Sequence, residues 1–197
     1  GFFSSGLSHD LRGGAPRWEP LRHGPAADRA RCWEIVNAAA LAPAHHAFGN
    51  PAQVADGPTE EAICALIAAT GPWDVLHLNN LEGFPVAALG RIRDRFPSMR
   101  IVLSLHNYFA VCPQVNLWHQ ERETCRDFDA GRACVHCLPA RHDARALRMA
   151  GALAYRLKCA GLIPGSWAYD VAFRLMLRGG AHGLRAWRRL KGRVRRR

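Results

Sequence analysis

The sequence predicts an α/β fold, in which a parallel sheet with flanking helices is followed by a basic helical tail. Residues 73–107 alternate between apolar runs of strand length and one amphipathic run of helix length. The segment before them has start and stop signals typical of a helix. Charge is also divided unevenly. Residues 1–140 hold 12 Lys and Arg against 14 Asp and Glu, a net −2, whereas residues 141–197 hold 15 against 2, a net +13.

Length and composition limit the class of protein. A chain of 197 residues can bury one core, with a partial second unit beside it. No run approaches the roughly 18 consecutive apolar residues that a membrane span needs, and the N-terminus lacks a basic segment followed by an apolar one. The seven cysteines are odd in number and scattered, which argues against a secreted disulfide framework. We therefore expect a cytoplasmic protein.

The first half of the chain predicts a loop and two helices. Residues 1–25 are rich in Gly, Pro and Ser and predict a loop with a short strand at its start. Residues 28–41 predict a helix, because apolar side chains recur at helical spacing at Cys32, Ile35, Val36 and Ala39. The segment "GPTEEAICALIAATGPWD" predicts a second helix, which Thr59 caps and Gly71-Pro72 ends.

The next segments predict a βαβ unit. "WDVLHLNN" and "RIVLSLHN" are short apolar runs that suit strands buried on both faces, and "PVAALGRIRDRF" between them is an amphipathic helix. The two strands should be parallel, with a right-handed crossover. His77, inside the first strand, is interpreted as a core residue.

Both predicted strands end in polar residues. Asn79 and Asn80 follow the first strand, and His106 and Asn107 follow the second. Ligands of open parallel sheets bind outside the carboxyl ends of the strands, so the two pairs together predict a binding site. The alternative is that these residues only end strands as turn formers, which is common for either pair alone.

Three segments in this order resemble the N-terminal domain of the family-4 retaining glycosyltransferases, which have the GT-B fold. They are "DVLHLNNLEGFPVAAL", "IVLSLHNYFAVCPQVNLWHQE" and a C-x8-C-x2-C group, and the resemblance covers residues 73–138. The chain departs from the family text at Asn79, where the family often has His, and at Asn107, where it often has Asp. Both replacements keep hydrogen-bonding capacity, although the second removes a charge.

The resemblance implies that residues 1–140 form a Rossmann-like domain, the acceptor side of an enzyme that transfers a sugar from a nucleotide-sugar donor to a glycan or lipid-linked acceptor. It implies a catalytic role for His106. It also implies an acceptor pocket lined by Asn79, Asn80, Glu82, Gly83, Asn107 and Tyr108. Gly13 and Gly14 are candidates for the family's glycine-rich loop near the donor phosphates, although a Gly pair is usually only a turn.

The donor-binding half of such an enzyme is not recognisable in this chain. Residues after 138 show no second alternation of strands and helices and no pair of glutamates separated by a donor-binding segment. We therefore expect the chain to be part of an enzyme and to be inactive alone, because transfer needs both sides of the cleft.

Four cysteines fall within residues 112–137 with the spacing C-x12-C-x8-C-x2-C. The last pair matches the tight hairpin in which two thiolates bind one Zn²⁺. A structural zinc, not needed for catalysis, is therefore predicted on Cys112, Cys125, Cys134 and Cys137, with His119 and His136 as possible substitutes. The alternative is four free thiols in a reducing compartment.

The tail, residues 141–197, predicts two basic helices. In the first, a basic face opposes an apolar one; the basic residues are Arg141, Arg145, Arg148, Arg156 and Lys158. The second opens with Ser166 as cap and closes at Gly179-Gly180. Such helices suit an anionic membrane surface, which is the interpretation for residues 180–197. For residues 141–160 the preferred interpretation is that the apolar stripe packs on the body.

A different class of protein also has a cysteine-rich loop and an arginine-rich tail. A non-enzymatic nucleic-acid-binding module with a zinc-binding loop would bind phosphates through such a tail. The body, however, is net acidic, and the loop lacks the paired C-x2-C groups of a zinc ribbon. No nucleic acid is therefore expected. A second α/β domain encoded beyond residue 197 would favour the glycosyltransferase.

Overall fold

The protein has a mixed α/β fold with small parallel sheets. The structure, a computed structural model, describes residues 1–43, 50–109, 111–112, 114–137 and 144–194, the last 14 of them as backbone only. The first sheet contains β1 (Phe2–Ser8), β2 (Arg17–Pro20) and β3 (Cys32–Val36). Strand β3 lies in the middle, parallel to β1 and antiparallel to β2.

The helix predicted over residues 28–41 is wrong. Only a single helical turn, α1 (Ala26–Arg29), forms there, and Cys32–Val36 becomes the central strand β3. Ile35 and Val36 are fully buried. The β-branched residues and Trp33 suit a strand that pairs on both edges, and this tertiary pairing overrides the helical spacing.

Helix α2 (Gly57–Thr70) forms where the sequence predicts it and ends before Gly71. Its cap is Asp56 instead of Thr59, because the Asp56 carboxylate accepts a hydrogen bond from the Thr59 backbone N–H at 3.0 Å. Ile63 and Leu66 enter the core.

The βαβ unit is confirmed. Strands β4 (Val75–Leu78) and β5 (Arg100–Leu103) pair in parallel, and α3 (Ala88–Arg95) connects them. The prediction that both faces are buried is wrong, because burial alternates along β4 and most of β5 is exposed. His77 is therefore not a core residue; it lies on the exposed face, where its Nε2 is 2.7 Å from the Ser104 hydroxyl.

The two sheets lie side by side with β1 next to β4. A Cβ on Gly1 would lie 3.3 Å from the Trp73 ring, just before β4. A Cβ on Gly6 would lie 2.6 Å from the Gly83 Cα, beyond the end of β4. Strands β1 and β4 therefore run in the same direction.

The cysteine loop, residues 112–137, follows β5. It contains β6 (Trp118–His119) and β7 (Glu123–Thr124), which form an antiparallel pair. A 3₁₀ turn at Asp129–Gly131 leads into the short helix α4 (Arg132–Cys137). Another 3₁₀ turn, at Pro51–Gln53, precedes α2.

Helix α5 (Ala144–Cys159) packs on β1, with Leu153 and Leu157 buried, as the preferred interpretation of its apolar face requires. Lys158, placed on the basic face with four arginines, is mostly buried, since its side chain is only 11% exposed. Its ammonium group lies 2.6 Å from the carboxylate of the buried Glu34 on β3. Arg141, assigned to the same face, lies outside the described residues.

Helix α6 (Trp167–Val194) follows α5 and packs against it. Ser166 acts as the predicted cap, since its hydroxyl accepts a hydrogen bond from the Tyr169 N–H at 3.3 Å. The predicted end at Gly179-Gly180 is wrong, because the helix continues for 14 residues beyond Gly180. Neighbouring helical residues outweigh the low helix propensity of two glycines. Among the described residues, no helix is both long and apolar enough to cross a membrane.

Candidate functional site

The polar residues after β4 and β5 lie at neighbouring carboxyl ends. The parallel register pairs Leu78 with Leu103, and the Ser104 N–H donates to the Leu78 carbonyl at 2.9 Å. The segment from Asn79 and the segment leading to His106 therefore leave the sheet side by side.

A hydrogen bond joins the two segments. The Asn107 Nδ2 donates to the Glu82 Oε1 at 3.4 Å. The side-chain oxygens of Asn80 and Asn107 accept hydrogen bonds from nearby backbone. The Asn80 Oδ1 accepts from the Leu81 N–H at 2.7 Å, and the Asn107 Oδ1 accepts from the Phe109 N–H at 3.0 Å. Both asparagines therefore stabilise turns, whatever else they bind.

A cavity of about 630 Å³ lies between β1 and β4. Most of its lining is apolar or aromatic, including Phe2, Trp33, Leu66, Ile67, Trp73 and Met99. Polar side chains from Asn79, Asn80 and Glu82 line one part of it. Ser5 also lines the cavity, and its buried hydroxyl has no hydrogen-bond partner among the described residues. An apolar cavity with a few polar groups is the usual composition of a ligand site.

The other residues predicted for the acceptor site, Gly83, His106, Asn107 and Tyr108, do not line this cavity. His106 is exposed, and Tyr108 is exposed to 54%. Gly83 is buried with a φ of +72°, and a Cβ there would lie 2.5 Å from the Ser5 carbonyl oxygen. Close contact between backbones therefore accounts for the glycine at this position.

The loop after β1 contains Gly13 and Gly14, with φ values of +71° and +124°. It is tied to the end of β3, because the Asp10 N–H donates to the Asn37 Oδ1 at 2.7 Å. A Cβ on Gly14 would lie 3.4 Å from the Asn37 Nδ2, a buried amide nitrogen without a hydrogen-bond acceptor among the described residues.

Sequence reasoning missed two polar residues at carboxyl ends of strands. Asn37 follows β3, and His9 follows β1. For Asn37 the signal was the one that identified the ends of β4 and β5, a polar residue directly after an apolar run, but the helix predicted over β3 concealed it; β1 is too polar to give that signal for His9. His9 is buried, and burial lowers its pKa; the positive charge of Arg148 lowers that pKa further.

The four predicted zinc ligands approach one another. Cys112, Cys125, Cys134 and Cys137 all line one cavity of about 20 Å³, together with His119. Cys134 and Cys137 lie on α4, so the tight hairpin predicted for this pair is wrong. Within the described ranges, no three His, Cys, Asp or Glu side chains stand at the spacing of a formed metal site.

Comparison with known proteins gives no assignment, since no family model, curated protein or solved structure matches the chain.

Proposed function

We propose that this chain is the acceptor-binding part of a glycosyltransferase that moves a sugar from a nucleotide-sugar donor to a glycan or lipid-linked acceptor. In this proposal the two side-by-side sheets are the core of a Rossmann-like domain, and the donor is held mainly by a second domain. The observation that carries it is the parallel pair β4–β5, whose carboxyl-end segments are joined by the hydrogen bond from Asn107 to Glu82.

The cavity beside these segments supports an acceptor with both polar and apolar parts. Asn79, Asn80 and Glu82 offer hydrogen-bond donors and acceptors for sugar hydroxyls. The aromatic and aliphatic lining between β1 and β4 would take an apolar chain attached to the sugar. A lipid-linked acceptor therefore fits the cavity better than a free glycan.

The first test measures binding by the 197-residue chain. Octyl β-glucoside, below its micelle concentration, and methyl β-glucoside are titrated into the ¹⁵N-labelled chain. We expect both to shift the backbone amides of residues 79–83 and 107, and the octyl glycoside to bind more tightly because it buries apolar surface. The Glu82→Gln variant should bind more weakly, whereas Glu123→Gln on β7, far along the chain from the cavity lining, should bind like the wild type.

The proposal also predicts where activity resides. The chain alone should transfer no sugar, and His106→Ala in the intact enzyme should lower turnover far more than it lowers the melting temperature. Wild-type turnover in that variant would remove His106 from the mechanism. Shifts that map only to α5 and α6, or the absence of binding by both glycosides, would contradict the acceptor site.

We further propose that α6 contacts an anionic membrane surface from the cytoplasmic side. Trp167 is 81% exposed and Leu175 is 62% exposed on the same helix as Arg174. Exposed apolar residues beside arginine suit lipid headgroups better than nucleic acid, which would use the charge alone. Cosedimentation with vesicles containing phosphatidylserine should fall with salt and with deletion of residues 180–197. Equal or tighter binding to a duplex oligonucleotide would favour the nucleic-acid alternative.

A further inference from the structure

The cysteine loop brings four thiols to one point from three separate pieces of chain. Cys112 follows the Tyr108 turn, Cys125 comes directly after β7, and Cys134 and Cys137 lie on α4. The last two are three residues apart on a helix and therefore share a face. The cavity that all four line is about 20 Å³, enough for one particle of the size of a water molecule or a metal ion.

The loop has little else to hold it. Of its described residues, only Cys112 is buried. Its paired strands are two residues long each. The protein has seven non-glycine residues with positive φ in its described part, and six of them lie here: Val115, Leu117, Gln120, Glu121, Asp129 and Ala130. Except for Asp129, whose residue type adopts this region readily, each costs about 1 kcal/mol or more, and a cross-link would offset this strain.

The arrangement favours a metal over two disulfides. The cysteines are free thiols that share one cavity, instead of lying in two separate pairs. The Cys137 thiol donates a hydrogen bond to the Gln114 Oε1 at 3.0 Å, and its sulfur accepts one from the Gln120 N–H at 3.2 Å. Backbone N–H donors to a sulfur also stabilise the thiolate that a metal needs.

We propose that Cys112, Cys125, Cys134 and Cys137 bind one Zn²⁺ ion as four thiolate ligands. Four soft ligands in a loop without a core of its own suit a tetrahedral structural zinc with Zn–S distances of about 2.3 Å. Among the described residues the four side chains do not stand at the spacing of a formed site, so zinc binding would have to bring their sulfurs closer together. His119 lines the same cavity and stays outside the ligand set.

The site would also hold the candidate acceptor segment, a consequence that rests on the proposed function. The Cys112 N–H donates to the Tyr108 carbonyl at 2.7 Å, and the Tyr108 N–H donates to the Val115 carbonyl at 2.9 Å. Zinc on Cys112 would therefore restrain the backbone from Tyr108 back towards His106. The ion acts on this segment as a positioning element and takes no part in the transfer reaction.

The test begins with metal content. The 197-residue chain, purified without chelator, should contain one zinc per chain by elemental analysis, and replacement by Co²⁺ should give the visible absorption of tetrahedral thiolate-bound cobalt. Cys134→Ser should raise the Kd for Zn²⁺ by at least about 100-fold, because even the loss of an outer-shell partner costs 10–100-fold. Cys159→Ser, an exposed cysteine on α5, is the matched control and should bind like the wild type.

Several outcomes would overturn the proposal. The first is that the chain binds neither Zn²⁺ nor Co²⁺ while its far-UV circular dichroism spectrum is that of a folded protein. The second is that Cys134→Ser binds Zn²⁺ with unchanged affinity. The third is that the mass of the wild type is lower by the four hydrogens lost in two intramolecular disulfides. If His119→Ala loses as much zinc as Cys134→Ser does, His119 is a ligand and the assignment of all four ligands to cysteines is wrong. If a variant fails to fold, release of zinc from the wild type by a thiol-specific mercurial decides whether thiolates hold it.

Removal of zinc separates this proposal from the proposed function. Chelation should speed amide hydrogen exchange at residues 106–108 and 114–125 while leaving β1 and β3 protected. That result stands even if the glycosides do not bind. Unchanged exchange at 106–108 would leave the metal site in place and contradict its role in positioning.

Discussion

Helix α5 and the cysteine loop are held to the protein in different ways. Helix α5 is held by burial and by polar contacts with the first sheet. The Lys158 ammonium group contacts Glu34 and Ser8 beneath the helix. The Tyr155 hydroxyl donates to the Glu19 carboxylate at 2.6 Å. The cysteine loop is mostly exposed, and its backbone is strained at several residues. Helix α5 depends on the packed core, whereas the loop, which has almost no core of its own, would depend on the proposed zinc cross-link among its side chains.

The largest expected effect is on the helix side of this comparison. Lys158→Ala leaves Glu34, which is 1% exposed, as an unpaired buried charge. We expect the free energy of unfolding to fall by about 3–5 kcal/mol, measured by urea denaturation. Arg95→Ala, in the exposed pair with Glu61, is the control and should have little effect.

A double variant sharpens this prediction. Lys158→Met with Glu34→Gln removes both charges, so it should recover part of the stability lost in the single variant. Equal stability of Lys158→Ala and the wild type would mean that the contact with Glu34 does not hold α5.

A smaller effect is expected when strain in the cysteine loop is relieved. Glu121 is exposed and has a φ of +57°, which glycine adopts without cost. Glu121→Gly should therefore stabilise the loop locally by about 1 kcal/mol, seen as slower hydrogen exchange, while global unfolding stays the same. Glu123→Gly, in β7, should destabilise the loop locally and speed hydrogen exchange, because glycine weakens a strand. Faster hydrogen exchange in the loop of Glu121→Gly would contradict the inference that the backbone is strained at Glu121.

The smallest expected effect is a pH dependence at the contact between β1 and α5. The pKa of His9 is lowered in the folded protein below its ordinary value of 6.5, chiefly by burial, so protonation favours the unfolded chain. The stability that neutral His9 contributes is present above pH 6.5 and is lost as the pH falls from there to the folded pKa. His9→Gln should flatten this part of the stability profile, measured by urea denaturation at several pH values.

The sequence was informative where local signals and tertiary structure agree. Helix α2 has clear start and stop signals, the βαβ unit has segments of the right length and apolar content, and both form at the predicted positions. Strand β3 was missed because "CWEIVNAAA" has helical spacing, and only pairing with β1 and β2 decides against it. The exposed face of β4 was also missed, since apolar content does not say whether another element covers a strand.

The candidate site was predictable only in part for a related reason. Spacing along the chain put Asn79, Asn80 and His106 at strand ends, and the parallel register makes those ends neighbours. The cavity between β1 and β4 could not be predicted, because it depends on how far two sheets stand apart. The role of Lys158 likewise depends on Glu34, which is 124 residues away in the sequence.

Strand β5 has a consequence for how the protein behaves in solution. It pairs with β4 alone among the described residues, and Val102 and Leu103 beside its open edge are exposed. An uncovered apolar edge is a surface on which copies of a chain adhere. The net charge of +11 opposes this by mutual repulsion. Added salt screens this repulsion and so promotes association of one chain with another, whereas it would weaken the membrane contact proposed for α6.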